Sequence, residues 1–298
     1  MVTVGTFDGV HVAHQRIFNV LVEKARSRGF RSVLITFKPH PQEIVGKQKV
    51  DLLMTEEERV EKVREQGIDE VCLLKFDRDL SLVSAEDFLV KYVRDRVGLT
   101  ELVLGYNNRF GRNAEGTLEF AREVGLRAGF EADSVDAVTV DGKTVSSSNI
   151  RHLLRAGDVP FANRMLGRAY SVEGFVISGD GRGRQLGYPT ANLRLVDERL
   201  LIPAFGVYIV EIAVEKGKYV GLASVGVRPT FEYEGIPMVE AWIADFDRDI
   251  YGKRIRVSFI SRLREELKFE SAEQLIAQMD MDKKKLNDYL IKTYNKQR

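Results

Sequence analysis

The hydrophobic pattern of this chain changes period once, near Gly167, and a chain with two periods must build two cores of different kinds. Before that point, short β-branched runs alternate with longer amphipathic stretches, which favours a parallel sheet with crossover helices. Val2-Thr3-Val4 and residues 32–37, 70–74 and 101–105 read as strands apolar on both faces, as buried parallel strands are. Residues 13–28 read as a helix with Ile17, Val20, Leu21 and Ala25 on one face and Gly29 as its C-terminal cap. Thr55 followed by Glu56, Glu57 and Glu58 starts another helix, and residues 84–97 repeat that pattern. Past Gly167 the texture is that of alternating strands, over residues 170–177, 206–214, 219–225, 238–246 and 254–260. Lys216-Gly217 serves as a hairpin turn, and the whole predicts a small antiparallel barrel. Residues 271–294 predict a terminal helix, broken near Asp280, packed on the barrel. The junction falls in the helical segment 158–167, so the expected domains are residues 1–166 and 167–298.

Charge and cysteine content narrow the functional class. Over 298 residues, 45 Lys and Arg against 44 Asp and Glu leave a net charge of +1, so no global cation excess exists to displace counterions from a nucleic-acid backbone. The single cysteine, Cys72, excludes an intrachain disulfide and a multi-cysteine zinc cluster and fits a reducing compartment, so the expected address is the cytoplasm. No apolar run of about 18 residues is present to span a bilayer, and Met1 to Gly5 lack the basic flank and apolar stretch of a signal peptide. The expected partners are small molecules, with no nucleic acid, membrane or obligatory protein partner inferred.

Gly5-Thr6-Phe7-Asp8-Gly9-Val10-His11-Val12-Ala13-His14-Gln15 follows the first strand and runs into the first long helix. A glycine-bearing turn at a helix N-terminus presents unpaired N–H groups and the positive end of a dipole to an anion. If the helix begins near Val12, His11 and His14 project toward that anion and donate to phosphate oxygens. Taken alone, such a pair is more often a capping Asp8 beside two surface histidines. A metal site is the weaker reading, because His40 and His152 are distant and no His-Glu-x-x-His pattern occurs. Ser146-Ser147-Ser148 begins a further helix with Arg151 in its first turn, a cap and a guanidinium suited to polyphosphate or merely solvated.

The densest signal runs from Gly179 to Asn192. Four glycines within residues 179–187 admit close backbone approach to phosphate, Arg182 and Arg184 add cationic charge, and Pro189 fixes the chain before Thr190 and Asn192. No Gly-Lys-Ser/Thr ending is present, so Thr190 Oγ1 and the Asn192 carbonyl are the candidate magnesium ligands, as hard oxygen donors. Glu240 sits in an alternating strand and shares a face with Met238 and Trp242, which makes it either a solvated strand residue or a functional carboxylate.

Residues 5–15, Thr36-Phe37-Lys38-Pro39-His40-Pro41 and residues 146–151 closely resemble the adenylyltransferase module of the bacterial bifunctional riboflavin kinase/FAD synthetases. Gly187-Tyr188-Pro189-Thr190-Ala191-Asn192 resembles the Gly-Phe-Pro-Thr-Ala-Asn signature of that family's kinase module. Gly206-Val207-Tyr208, residues 226–231, 239–242 and 249–252 follow in order. The resemblance implies a Rossmann-like nucleotidylyltransferase domain followed by a six-stranded antiparallel barrel with a C-terminal helix, an α/β plus β chain. It implies ATP, riboflavin and FMN as substrates with Mg²⁺ as cofactor. His11, His14 and Arg151 match the phosphate-binding residues of adenylylation, with Gly5, Phe7, Asp8, Gly9, Asn107 and Ser147 around the bound nucleotides. In the kinase module Glu240 matches the catalytic base, Thr190 and Asn192 the metal site, Gly187 and Pro189 the phosphate loop, and Arg264 the flavin-side loop. Ala13 stands where the family has glycine, and Asn107 and Asn108 stand where it has Asp and Phe. Those two asparagines leave open an enzyme of both reactions or a kinase with a degenerate first domain. A flavin-binding regulator without turnover is a further reading, against which Glu240 and the intact Pro-Thr-Ala-Asn argue.

Overall fold

The computed structural model describes residues 1–46, 49–179, 183, 186–227 and 237–296. They form two compact units, Met1–Asn149 with Met165–Gly167, and Ile150–Arg164 with Arg168–Arg298. The helical segment 150–164, placed with the first domain from sequence, groups with the second unit.

The first unit holds a parallel sheet of β1 (Val2–Val4), β2 (Val33–Lys38), β3 (Glu70–Lys75), β4 (Glu101–Gly105) and β5 (Glu131–Val135), in the order β3-β2-β1-β4-β5. Val2, Val4, Ile35, Leu102 and Leu104 pack on one face against Phe88, Leu89 and Val124. Leu34 and Val103 pack on the other against Phe18, Leu21 and Val63, so helices cover both faces. The first helix, Val12–Ser27, buries Ile17, Phe18, Leu21, Val22 and Ala25, whereas Val20 is only half-buried. Each large apolar side chain sealed in that stripe contributes about 1.5–3 kcal/mol.

Two strands depart from expectation because they lie at sheet edges. β3 pairs on one side only and alternates between exposed and half-buried positions rather than being apolar on both faces. β5, Glu-Ala-Asp-Ser-Val, carries too little apolar content to announce itself. The helix expected over residues 84–97 contains a π-helical turn at Phe88–Arg94, which turns Phe88, Leu89 and Val93 into the core. A short hairpin joins β6 (Thr139–Val140) to β7 (Lys143–Thr144) through Asp141 and Gly142, both at positive φ.

The second unit contains a closed antiparallel barrel of β8 (Tyr170–Ile177), β9 (Thr190–Leu195), β10 (Gly206–Val214), β11 (Gly217–Val227), β12 (Pro237–Ile243) and β13 (Arg254–Arg264). Their order is β10-β11-β12-β9-β8-β13. Val172, Leu193, Ile212, Ala223, Ala241 and Val257 fill it. The β10–β11 turn is Glu215-Lys216, one residue earlier than expected, since Gly217 already pairs with Val214 and Glu215 takes the positive φ. The terminal helix, Ala272–Lys296, runs unbroken through Asp280; that side chain is exposed, and no glycine or proline interrupts the segment. Among the described residues no helix is long and apolar enough to cross a membrane.

Candidate functional site

In the first unit the strand order reverses between β1 and β4, and ligands of open α/β sheets bind in the crevice beyond such strand ends. The loop from Gly5 to His11 occupies this place. Phe7 and Val10, both buried, hold φ of 49° and 39°, and Gly9 holds 87°. A β-branched residue at positive φ persists only where its surroundings enforce it, and such positions cluster at functional sites. The enforcement is visible. Arg59, 4% exposed, donates from Nη1 to the Thr6 carbonyl and from Nη2 to the Phe37 carbonyl, each at 2.8 Å. Thr36 Oγ1 donates to the same Thr6 carbonyl at 3.1 Å. Gln15 Nε2 reaches back to the Val10 carbonyl at 2.9 Å.

Asp8 does not cap the helix. Its buried carboxylate accepts the Leu53 amide with both oxygens at 3.1 Å, and its carbonyl accepts Ser147 Oγ at 2.8 Å. The cap is His11, whose Nδ1 accepts the His14 amide at 3.3 Å. An imidazole whose Nδ1 accepts carries its proton on Nε2 when neutral, so capping fixes the donor edge of His11. The helix begins at Val12, the condition for both rings to project together, and they stack at 3.5 Å with planes 20° apart. Phe7 meets His14 edge-on at 5.1 Å. Burial, and secondarily His11, hold the His14 pKa well below the usual imidazole value. His14 Nδ1 is enclosed without a hydrogen-bond partner among the described residues. Ala13 lies inside the helix, where a methyl group is accommodated.

The second loop of this crevice follows β4. Asn107 is exposed in the turn, while Asn108 Nδ2 donates to the carbonyl of Val4 at 2.6 Å and so ties this loop to the end of β1. In the following helix, Ser147–Ala156, Ser146 Oγ accepts the Asn149 amide at 3.2 Å, which leaves Ser147 for Asp8. Arg151 is half-buried one turn beyond Ser147 and groups with the second unit. A cavity of about 530 Å³ opens between Val12, Arg16 and Asn19 of the first helix and residues 134–138, at and just beyond the end of β5.

In the second unit, Thr190 and Asn192 lie not in a loop but on β9, a strand hidden in the sequence by its Gly-Tyr-Pro approach. β9 places Asn192 opposite Glu240 and Thr190 opposite Trp242. All four share the face turned away from the barrel interior. Thr190 Oγ1 donates to Glu240 Oε1 at 2.5 Å, and Asn192 is 5% exposed. Gly183 offers its carbonyl to the amides of Leu186 at 3.2 Å and Tyr188 at 2.8 Å, and Gly187 takes φ 82°. A Cβ on Gly183 would lie 2.4 Å from the Tyr188 carbonyl, so only glycine closes this turn. Asp180, Gly181, Arg182, Arg184 and Gln185 lie outside the described residues, as do Arg228-Pro229-Thr230-Phe231.

Two cavities meet at Thr190. One, of about 410 Å³, runs from Pro189 and Ala191 to Phe246, Arg248, Asp249 and Tyr251. The other, of about 330 Å³, lies between the outer face of the barrel and the terminal helix; Leu222, Trp242, Phe269, Leu275 and Met279 make it apolar, with Glu240 and Arg264 as polar points. Arg264 does not project free into it. Its Nε and Nη2 both bind the buried carboxylate of Asp282 at 2.8 Å. Among the described residues no cluster of three or more His, Cys, Asp or Glu forms a self-sufficient metal cage.

Sequence comparisons agree with this division. A family described as FAD synthetase matches residues 1–149, and a family described as riboflavin kinase matches residues 166–290. A bifunctional riboflavin kinase/FMN adenylyltransferase of Listeria monocytogenes is 34% identical, covering 98% of this chain and 93% of its own. One from Pseudomonas fluorescens is 35% identical, over 94% of this chain and 89% of its own. A crystal structure described as a macrolide-efflux protein from Streptococcus pneumoniae is similar with a TM-score of 0.87 and 33% identity, covering 95% of this chain and 92% of that one.

Proposed function

The chain belongs to the bifunctional riboflavin kinase/FMN adenylyltransferases, ATP-dependent transferases that phosphorylate riboflavin to FMN and adenylylate FMN to FAD, and we propose which of its residues carry each reaction. Finding both families' matches in one chain favours two reactions over a lone kinase, despite Asn107 and Asn108.

For phosphorylation, the carrying observation is that Thr190 lines both barrel cavities while hydrogen-bonded to Glu240, which lines only the apolar one. ATP in the larger cavity and the flavin ring in the apolar one would bring the γ-phosphate and the ribityl 5′-hydroxyl together at Thr190. Glu240 accepts the hydroxyl proton, the oxygen attacks in line, and ADP leaves. Oε1 is engaged by Thr190, so Oε2 is the oxygen for that proton. Thr190 Oγ1 gives its hydrogen to Glu240 and keeps lone pairs, and with Asn192 it forms a hard-oxygen set suited to Mg²⁺. The ion, when bound, draws negative charge from the transferring phosphate.

For adenylylation, the Gly5–His11 turn receives the polyphosphate of ATP at the helix N-terminus. The His11 Nε2 proton and the second imidazole stabilise charge building on the α-phosphate as the FMN phosphate attacks and pyrophosphate departs, and Arg151 remains a candidate from the sequence resemblance alone. No covalent enzyme intermediate is needed. The cavity beside Val12 and Asn19 suits the adenosine, and the loop tied by Asn108 is the FMN side. Gly5, Phe7, Asp8 and Gly9 shape the turn, and Ser147 braces it. A cytoplasmic setting suits one half-exposed free thiol and substrates as polar as ATP and FMN. The residues 1–166 and 167–298 are the functional modules on this reading. Incubating the chain with riboflavin, ATP and Mg²⁺ and separating the flavins tests it: FMN should appear first and FAD after it, and FMN without FAD would return the reading to a kinase alone.

A further inference from the structure

The apolar cavity of the second unit has one fixed wall and one borrowed wall. Leu222, Glu240 and Trp242 belong to the closed barrel, whereas Leu275, Met279 and Asp282 belong to the terminal helix. Among its described side chains, up to residue 292, that helix is mostly solvent-facing, and the deeply buried ones are Asp282, paired with Arg264, and Leu286. Among the described residues, contacts at the cavity rim tie this helix to the barrel face. The Tyr188 hydroxyl donates to Asp280 Oδ1 across the cavity edge. The Tyr188 ring meets Trp242 edge-on at 5.9 Å, and Lys283 Nζ stands 5.7 Å above the same indole. Tyr188 thus bridges the strand approach that carries Pro189 and Thr190 to the helix that roofs the cavity.

We propose that Tyr188 and Asp280 are positioning residues, a latch that holds the terminal helix over bound riboflavin; this rests on the reading that the apolar cavity takes the flavin. The hydrogen bond to Asp280, and burial after it, push the Tyr188 hydroxyl up to about 12, so it remains a donor at any neutral pH. A phenylalanine at this position, as in the signature this segment resembles, keeps the ring on Trp242 and lacks the latch. The hydroxyl acts on the residence of the flavin rather than on the transfer of phosphate.

The test follows riboflavin fluorescence in stopped flow with the full chain, comparing wild type, Tyr188→Phe, Asp280→Ala and the double variant, alongside steady-state kinetics. Each single change should raise the riboflavin off-rate and KM about 3- to 10-fold, the scale of one charge-assisted hydrogen bond near solvent. The double variant should lose no more than either single one, and the KM for ATP and kcat should stay within about twofold. An unchanged off-rate in Tyr188→Phe, additive losses in the double variant, or an equal rise in the KM for ATP overturns the latch. Met279→Trp, which fills the cavity, should abolish riboflavin quenching. If it does not, the flavin-site reading itself fails and the latch with it, a result distinct from an intact cavity without a latch.

Discussion

Replacing Glu240 by glutamine separates proton transfer from architecture. The amide has the shape of the carboxylate and keeps an oxygen for Thr190 Oγ1, whose bond to Oε1 is 2.5 Å, so β9 and β12 stay in register with Asn192 still opposite position 240. What disappears is the ability of Oε2 to take the ribityl proton. A positioned base contributes about 10²- to 10⁴-fold, which at about 1.36 kcal/mol per decade raises the barrier by about 3–5 kcal/mol. Glu240→Gln should therefore lower kcat for FMN formation by at least about 10²-fold while riboflavin binding changes by no more than about threefold. The Gly5–His11 turn proposed for adenylylation lies in the other compact unit, so FAD formation from supplied FMN should stay within about twofold of wild type. The assay is chromatographic separation of flavins from two incubations, riboflavin with ATP and FMN with ATP. FMN formation within about tenfold of wild type would refute the base, and equal losses in both incubations would refute separate sites.

His14→Asn should reduce FAD formation by about 10²- to 10³-fold, the scale of one lost oxyanion donor, and leave FMN formation intact in the same chromatogram. Asn108→Ala removes the 2.6 Å bond to the Val4 carbonyl and should destabilise the first unit by about 1 kcal/mol. After graded heating, the midpoint for loss of FAD formation should fall by about 2–4 °C while that for FMN formation holds. His14 also sets a pH dependence. Its folded pKa lies below the unfolded value of 6.5, so between the two the unfolded chain binds more protons and stability falls as pH drops. Calorimetric melts from about pH 8 to about pH 5 should show wild type losing more stability on acidification than His14→Asn.

The elements that sequence made legible are those where one physical demand dominates. The apolar runs of β1, β2 and β4 serve only burial, and Thr55 with its glutamates serves only a helix start, its Oγ1 accepting the Glu58 amide at 3.1 Å. The histidine turn was readable because strand, glycine and helix start follow one another without interruption. The edge strand β5 was not, since its polar composition answers to pairing rather than to burial, and β3, readable as a strand, lies half-exposed at the other edge instead of being apolar on both faces. β9 hid for a different reason: Thr190 and Asn192 are short polar residues whose strand character comes from Glu240 and Trp242 opposite them. Arg59 escaped notice because a helical arginine after three glutamates looks solvated, and only the fold reveals the two carbonyls it takes. Asp280 was expected to break the terminal helix and instead supplies its exposed face to Tyr188, a partner 92 positions away.

Binding of two separate molecules of ATP by one chain is open to direct test in a crystal soaked with Mg²⁺ and a non-hydrolysable ATP analogue. Two nucleotides per chain are predicted, one with its polyphosphate at the Gly5–His11 turn and one with its γ-phosphate beside Thr190 and Asn192. A single nucleotide shared by both reactions, or density at neither place, would contradict it.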